Sequence, residues 1–211
     1  MGIQERKERE KEQRRQSIVE AAETVFFSKG FEKATMDDVA EEAELSKGTL
    51  YLYFNSKEDL YAVIIKKGIT ILHQLFAEAV AKEETGLSKV RAIGEAFVIF
   101  STEYPDYSEA MLYGHSRLHP EDVEALEDCQ KHDNNEQSEQ IFISSITQGI
   151  DDGSIRKNLD PAKTAILLWG ELLGVLQLAH IKRSMLKKVC GVEPEGLLEY
   201  FFEFTYVALK A

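Results

Sequence analysis

Apolar side chains recur at intervals of three and four along most of this chain, and that period limits what it can fold into. Ile18, Ala22, Val25 and Phe26 share one helical face, and Met36, Val39, Ala40 and Ala43 repeat at i, i+3, i+4 and i+7. Alternating runs rich in β-branched residues are missing. The single hairpin-like dipeptide, Asp152-Gly153, follows a long helical stretch. The pattern predicts an all-α chain of about nine helices: Arg6–Lys29, Met36–Ala43, Lys47–Phe54, Lys57 to near Glu83, Leu87–Tyr104, Tyr107–Leu118, Pro120–Asp151, Pro161–Lys188 and Pro194–Lys210. Local signals mark several starts. Thr35 and Asp38 are spaced as a capping box, Ser46 and Ser56 precede helical runs, and Asp160-Pro161 pairs an N-cap with proline at the first helical position.

A chain of 211 residues accommodates a module of about 50 residues and a larger body. The expected boundary divides residues 1–56, a three-helix domain, from residues 57–211, a larger helical body. No unbroken run reaches the roughly 18 apolar residues of a bilayer span, and the first residues lack the apolar core of a signal peptide. A cytoplasmic protein without membrane partners is the expectation. Cys129 and Cys190 lack Cys-x-x-Cys spacing and read as idle thiols. His115-x-x-x-His119 has no intervening Glu and no third ligand nearby, so neither metal nor cofactor is expected. Gly-x-Ser-x-Gly and phosphate-loop motifs are missing, which argues against an enzyme.

Net charge is −12, which excludes a protein that coats nucleic acid indiscriminately. The charge is uneven: residues 1–15 are net +2, and residues 16–60 hold four Lys against ten Asp and Glu. An acidic surface also suits a protein-interaction module. The segment 47–54 stands apart because it contains no acid. Leu50 and Phe54, four apart, can turn inward, leaving Lys47, Thr49, Tyr51, Leu52 and Tyr53 wholly or partly outside. Such a face suits an anionic partner, or it is an ordinary solvated surface. Lys47 and Lys57 each occupy a first helical position, where the dipole disfavours a cation by about 0.3–1 kcal/mol and a bound phosphate reverses that sign. Gly48 leaves room for close backbone approach. Two short helices separated by Glu44-Leu45-Ser46 and packed on the Ile18–Phe26 face make a helix-turn-helix.

The stretch from Ile18 to Leu60, with Ala21-Ala22, Phe26, Gly30-Phe31, Thr35, Val39-Ala40, Ala43, Ser46-Lys47-Gly48-Thr49-Leu50-Tyr51, Phe54 and Lys57-Glu58-Asp59-Leu60, resembles the DNA-binding domain of TetR-family regulators. The resemblance implies a homodimeric repressor that binds palindromic double-stranded operator DNA and responds to a small-molecule effector. By position it implies that Thr35 and Lys57 bind phosphates, that Ser46, Lys47 and Thr49 meet the major groove, and that Tyr51 and Tyr53 contact phosphates or base edges. Glu44 departs from the family's usual glycine, and would be strained by roughly 1–2 kcal/mol if φ there is positive. Leu52 replaces a common aromatic and can meet a thymine methyl group.

For the body, the resemblance implies an effector pocket among the fourth to eighth helices and a dimer interface from the last two. Candidate pocket residues are Phe97, Phe100, Tyr104, Tyr113, Phe142, Trp169 and Gln177. Candidate interface residues are Leu168, Leu172, Val175, Leu197, Phe201 and Phe204, with Gly170 and Gly174 allowing close helix contact. Each also reads as plain core. Glu95 and Glu171 interrupt apolar faces and would select a cationic ligand if buried.

Overall fold

In the computed structural model the structure describes residues 2–117, 136–181 and 186–211. Its α-helices are α1 (Ile3–Lys29), α2 (Met36–Glu42), α3 (Lys47–Leu50), α4 (Lys57–Val80), α5 (Gly86–Glu103), α6 (Pro105–Arg117), α7 (Glu136–Asp152), α8 (Pro161–Ile181) and α9 (Pro194–Leu209), with a π-helical turn at Leu186–Cys190. The fold is all-α. Among the described residues the extended structure is one isolated bridge between Ile155 and Lys210. His119, Cys129 and His132 lie outside the described residues, and so does the expected helix start at Pro120.

Several boundaries move. α6 begins at Pro105, because proline fits the first turn, where its missing N–H costs nothing. α4 ends at Val80, and a π-helical turn stands at Leu186–Cys190, where the expected eighth helix runs on to Lys188. α3 is one turn long, then tightens: the amides of Leu52 and Tyr53 donate to Thr49 and Leu50 carbonyls three residues back.

The described residues form two compact units, 2–69 with 104–117 and 70–103 with 136–181 and 186–211. The first is built on one core in which Ile18, Ala22, Val25 and Phe26 of α1 pack with Val39, Leu50, Phe54, Leu60, Ile64 and Ile65. Each of these side chains larger than alanine contributes about 1.5–3 kcal/mol on burial, which holds α2 and α3, helices too short to persist alone. Phe26, Phe31 and Tyr61 add edge-on and tilted ring contacts with centroids 4.4–5.9 Å apart. α6 is tied in by an ionic cluster. Lys67 Nζ donates to both Glu23 oxygens at 2.8 Å, and Tyr107 Oη donates to Glu23 Oε1 at 2.8 Å. Burial alone would lower the Lys67 pKa, but the bonds to Glu23 and Tyr107 outweigh it and raise it.

In the second unit, α5 and α7 meet at two glycines. A Cβ on Gly86 would run into the backbone of Gly149 and Ser145. The free N–H groups at the start of α5 are satisfied from elsewhere in the unit: Asp152 Oδ2 accepts from Gly86 N at 2.8 Å and Ser154 Oγ from Leu87 N at 3.1 Å. Bonds from Ser154 and from the Gly86 amide hold the Asp152 carboxyl below its usual range.

Two helices, Lys57–Val80 and Pro161–Ala179, reach a mean hydropathy of 1.3 and are long and apolar enough by composition to cross a membrane. A count of unbroken apolar runs passes over them because Lys66-Lys67 and Gly170-Glu171 interrupt. The first half of α4 belongs to the core just described.

Candidate functional site

Local chemistry builds the helix-turn-helix. Thr35 Oγ1 accepts from Asp38 N at 3.2 Å, and Asp38 Oδ2 accepts from Thr35 N at 2.9 Å. This is the expected capping box. Lys29 donates to Asp38 Oδ1 at 2.7 Å, and the bonds from Lys29 and Thr35 lower the Asp38 pKa from 3.8 to about 2. The turn after α2 needs a left-handed residue, and Glu44 takes it with φ 53°. Leu45 N then reaches Ala40 O at 2.8 Å.

α3 is anchored from below by Leu50 and Phe54, 0% and 3% exposed. Above, Leu52 is 79% and Tyr51 43% exposed, with Lys47, Gly48 and Ser46 also open. Thr49 and Tyr53 are half-buried, Tyr53 leaning on the core. A Cβ on Gly48 would meet nothing within 4 Å, so nothing in the chain itself demands glycine there. Ser46 Oγ accepts from Thr49 N at 3.2 Å and lies 2.8 Å from Thr49 Oγ1. Thr35 is exposed at the start of α2.

Two lysines have partners that sequence reasoning did not supply. Lys47 Nζ lies 2.7 Å from Asp37 Oδ1, and that bond and its charge raise the Lys47 pKa. Both groups are mostly exposed, so the pair is weak and yields readily to a competing anion. Lys57 Nζ donates to Phe31 O at 2.9 Å and Ala34 O at 3.2 Å and sits 4.2 Å from the Phe31 ring centroid. Its ammonium therefore ties α4 to the loop before α2. What α4 offers outward is the N–H groups of its first turn, where Ser56 Oγ already accepts from Asp59 N at 2.9 Å. Arg15, which sequence reasoning did not single out, stands 5.0 Å over the Phe54 ring.

The second unit holds a small cavity of about 30 Å³ lined by residues of α5, α7, α8 and α9. Of the pocket candidates, Phe97, Phe142 and Trp169 line it, with Phe97 and Trp169 rings 4.5 Å apart. Phe100 is buried but does not line it, and Gln177 is exposed. Tyr104 belongs to the first unit, and the side chain of Tyr113 lies outside the described residues. Glu95 and Glu171 are exposed, which removes the condition for a cation-selective pocket. Thr205 lines the cavity with a buried Oγ1 that has no hydrogen-bond partner among the described residues.

Of the interface candidates, Leu168, Leu172 and Phe201 turn inward and line the same cavity. Val175 and Leu197 are half-buried, and Phe204 is 60% exposed. The open apolar face of α8 and α9 consists of Ile166, Leu167, Leu178, Tyr200, Phe204 and Val207. A Cβ on Gly170 or Gly174 would meet nothing within 4 Å. α8 is apolar nearly all round, so its pattern alone did not distinguish its inner from its outer side.

Residues 18–64 match the model of bacterial regulatory proteins of the tetR family. An uncharacterised HTH-type transcriptional regulator, YfiR of Bacillus subtilis, is 51% identical over 59 residues, 28% of this chain and 29% of that protein. The chain thus spans less than a third of that relative's length. The HTH-type transcriptional repressor KstR2 of Rhodococcus jostii is 28% identical over 151 residues, 70% of each chain. The fold is similar to that of AibR, solved in complex with isovaleryl coenzyme A and operator DNA, at a TM-score of 0.63 and 19% identity, over 90% of this chain and 97% of that one. Family model and relatives agree with the helix-turn-helix built by residues 35–57, and residues 18–64 form an N-terminal domain of the tetR family of bacterial regulatory proteins.

Proposed function

We propose that the protein is a homodimeric, cytoplasmic transcriptional repressor, not an enzyme, whose affinity for a palindromic operator is changed by a small molecule held in the C-terminal body. The observation that carries the reading is the segment of α3 and the turn after it, which contains no acid: Lys47, Thr49, Tyr51, Leu52 and Tyr53 are exposed or half-buried over the buried Leu50 and Phe54, and among the described residues nothing lies within 4 Å of a Cβ placed on Gly48. In this reading α3 enters the major groove. Lys47 exchanges Asp37 for a phosphate, Ser46 and Thr49 reach polar groups, Leu52 meets a thymine methyl group, and Tyr51 and Tyr53 flank them. Thr35 and the first amides of α4, at Lys57, bind phosphates on either side.

The open faces of α8 and α9 are read as the surface that a second copy covers, which sets two α3 elements on successive grooves. The effector site is read as the aromatic cavity around Phe97, Phe142 and Trp169. At about 30 Å³ it holds a water or two, so an effector must displace a lining side chain. Its apolar walls and the unpartnered Thr205 hydroxyl suit an apolar ligand with one acceptor group. Trp169 is the only tryptophan of the chain, so its fluorescence reports binding directly.

Selection of duplexes from a random pool by the purified chain, followed by salt titration of the best sequence, tests the DNA reading. Wild type is expected to recover a palindrome, and Lys47→Ala and Tyr51→Ala to weaken binding at least tenfold while unfolding as wild type does. Wild-type affinity in both variants would remove α3 from the interface.

A further inference from the structure

Beyond the helix-turn-helix, the first 15 residues carry a second cationic surface. α1 runs unbroken from Ile3, so its part before Ile18 projects on the order of 20 Å past the core at 1.5 Å per residue. The stripe that faces the core, Ile18, Ala22 and Val25, continues along the projecting part as Lys7, Lys11, Arg14 and Arg15, at i, i+4, i+7 and i+8. One face of a single helix is therefore apolar where it meets the domain and cationic where it leaves it. Arg15, half-buried over Phe54, fixes where that face points, because Phe54 closes the turn that follows α3.

These charges are available. Lys7, Lys11 and Arg14 are exposed, and among the described residues no ion pair or hydrogen bond holds them. The acids nearby are Glu5, which accepts from Gly2 N at 2.8 Å, Glu10, which pairs with Arg6 at 2.7 Å, and Glu8 and Glu12 at the flank. The contrast with the rest of the domain is sharp. Of the four lysines between residues 16 and 60, Lys29 is held by Asp38, Lys47 by Asp37 and Lys57 by two carbonyls, and Lys33 is exposed. Lys7–Lys11, Lys11–Arg15 and Lys11–Arg14 are like-charge neighbours at i, i+4 or i, i+3, each costing the helix about 0.2–0.5 kcal/mol. A polyanion alongside reverses that cost.

We propose that the cationic ridge of α1 binds backbone phosphates of the duplex just outside the half-site read by α3, adding affinity without sequence preference. The proposal rests on the operator reading above. Its test uses the full chain, a Lys7→Gln/Lys11→Gln/Arg14→Gln variant, and a duplex that the wild type recovers from a random pool, in two lengths. One ends at the palindrome and the other carries about ten further base pairs on each side. Wild type should bind the longer duplex about tenfold more tightly at 0.1 M salt. The variant should bind both equally, with a salt slope shallower by about 0.9 for each phosphate it no longer neutralises. Glutamine keeps the helix propensity, so circular dichroism of the variant should match wild type. A variant that keeps the wild-type slope and length preference overturns the ridge alone, provided that Lys47→Ala still weakens binding to both lengths. A wild type that recovers no duplex overturns the operator reading and the ridge with it.

Discussion

Glu44 pays for the turn that aims α3. It is the one described non-glycine residue with a left-handed φ, at a strain of about 1–2 kcal/mol. Glycine there removes the strain but frees the unfolded chain by roughly 0.5–1 kcal/mol. Glu44→Gly should therefore raise the urea midpoint slightly, by less than about 1 kcal/mol in stability, and Glu44→Ala, equally strained, should not. Asp37 matters differently, because it competes with DNA for Lys47. Asp37→Asn frees the ammonium and should tighten operator binding about two- to fivefold, the worth of one exposed pair. Unchanged affinity by fluorescence anisotropy would place Lys47 away from phosphate. Asp38 sets the acid limit of the cap. Its pKa is depressed to about 2 from 3.8, so its contribution is complete above about pH 4 and is lost as pH falls through 2. Asp38→Asn should be less stable than wild type at neutral pH, with the difference shrinking between pH 4 and 2 in acid titrations followed by circular dichroism.

At the scale of elements, the sequence was legible where structure is local. Thr35 with Asp38, Ser46, Ser56 and Asp160 bond to amides three residues on, and that spacing is visible in the letters. Lys57 and Tyr107 were not legible, because their partners lie 26 and 84 residues away. The end of α3 was missed for a related reason. Tyr51, Leu52 and Tyr53 suit a helix, but Leu50 and Phe54 must both reach the core while the chain turns toward Ser56, and the last turn tightens. The start of α5 was placed near Leu87, yet what fixes it is Gly86 against Gly149, a contact between helices that no local pattern reports. Gly86→Ala should force α5 and α7 apart and cost about 1–3 kcal/mol or more, read as a fall in melting temperature. An unshifted transition would mean that the two helices separate freely.

At the scale of the molecule, α8 and α9 carry an open apolar surface. α8 is 21 residues long and α9 16. Each turns one side inward, through Leu168, Leu172 and Phe201, and leaves another open. A stable dimer buries about 800 Å² on each partner, within the reach of two such helices side by side. Tyr200 and Phe204 stack with centroids 6.4 Å apart, giving the face a rigid aromatic centre of the kind that dominates interface energetics. Dimer and DNA readings are linked, because one α3 reads only half a palindrome. Phe204→Glu places a charge at the middle of the open face without entering the core. Sedimentation should then report a species near 23.9 kDa where wild type sediments at about twice that mass, and cooperative binding to the palindrome should disappear while helix content stays the same. If Phe204→Glu remains dimeric, the two copies meet elsewhere, and the exposed side of α8 and α9 needs another occupant.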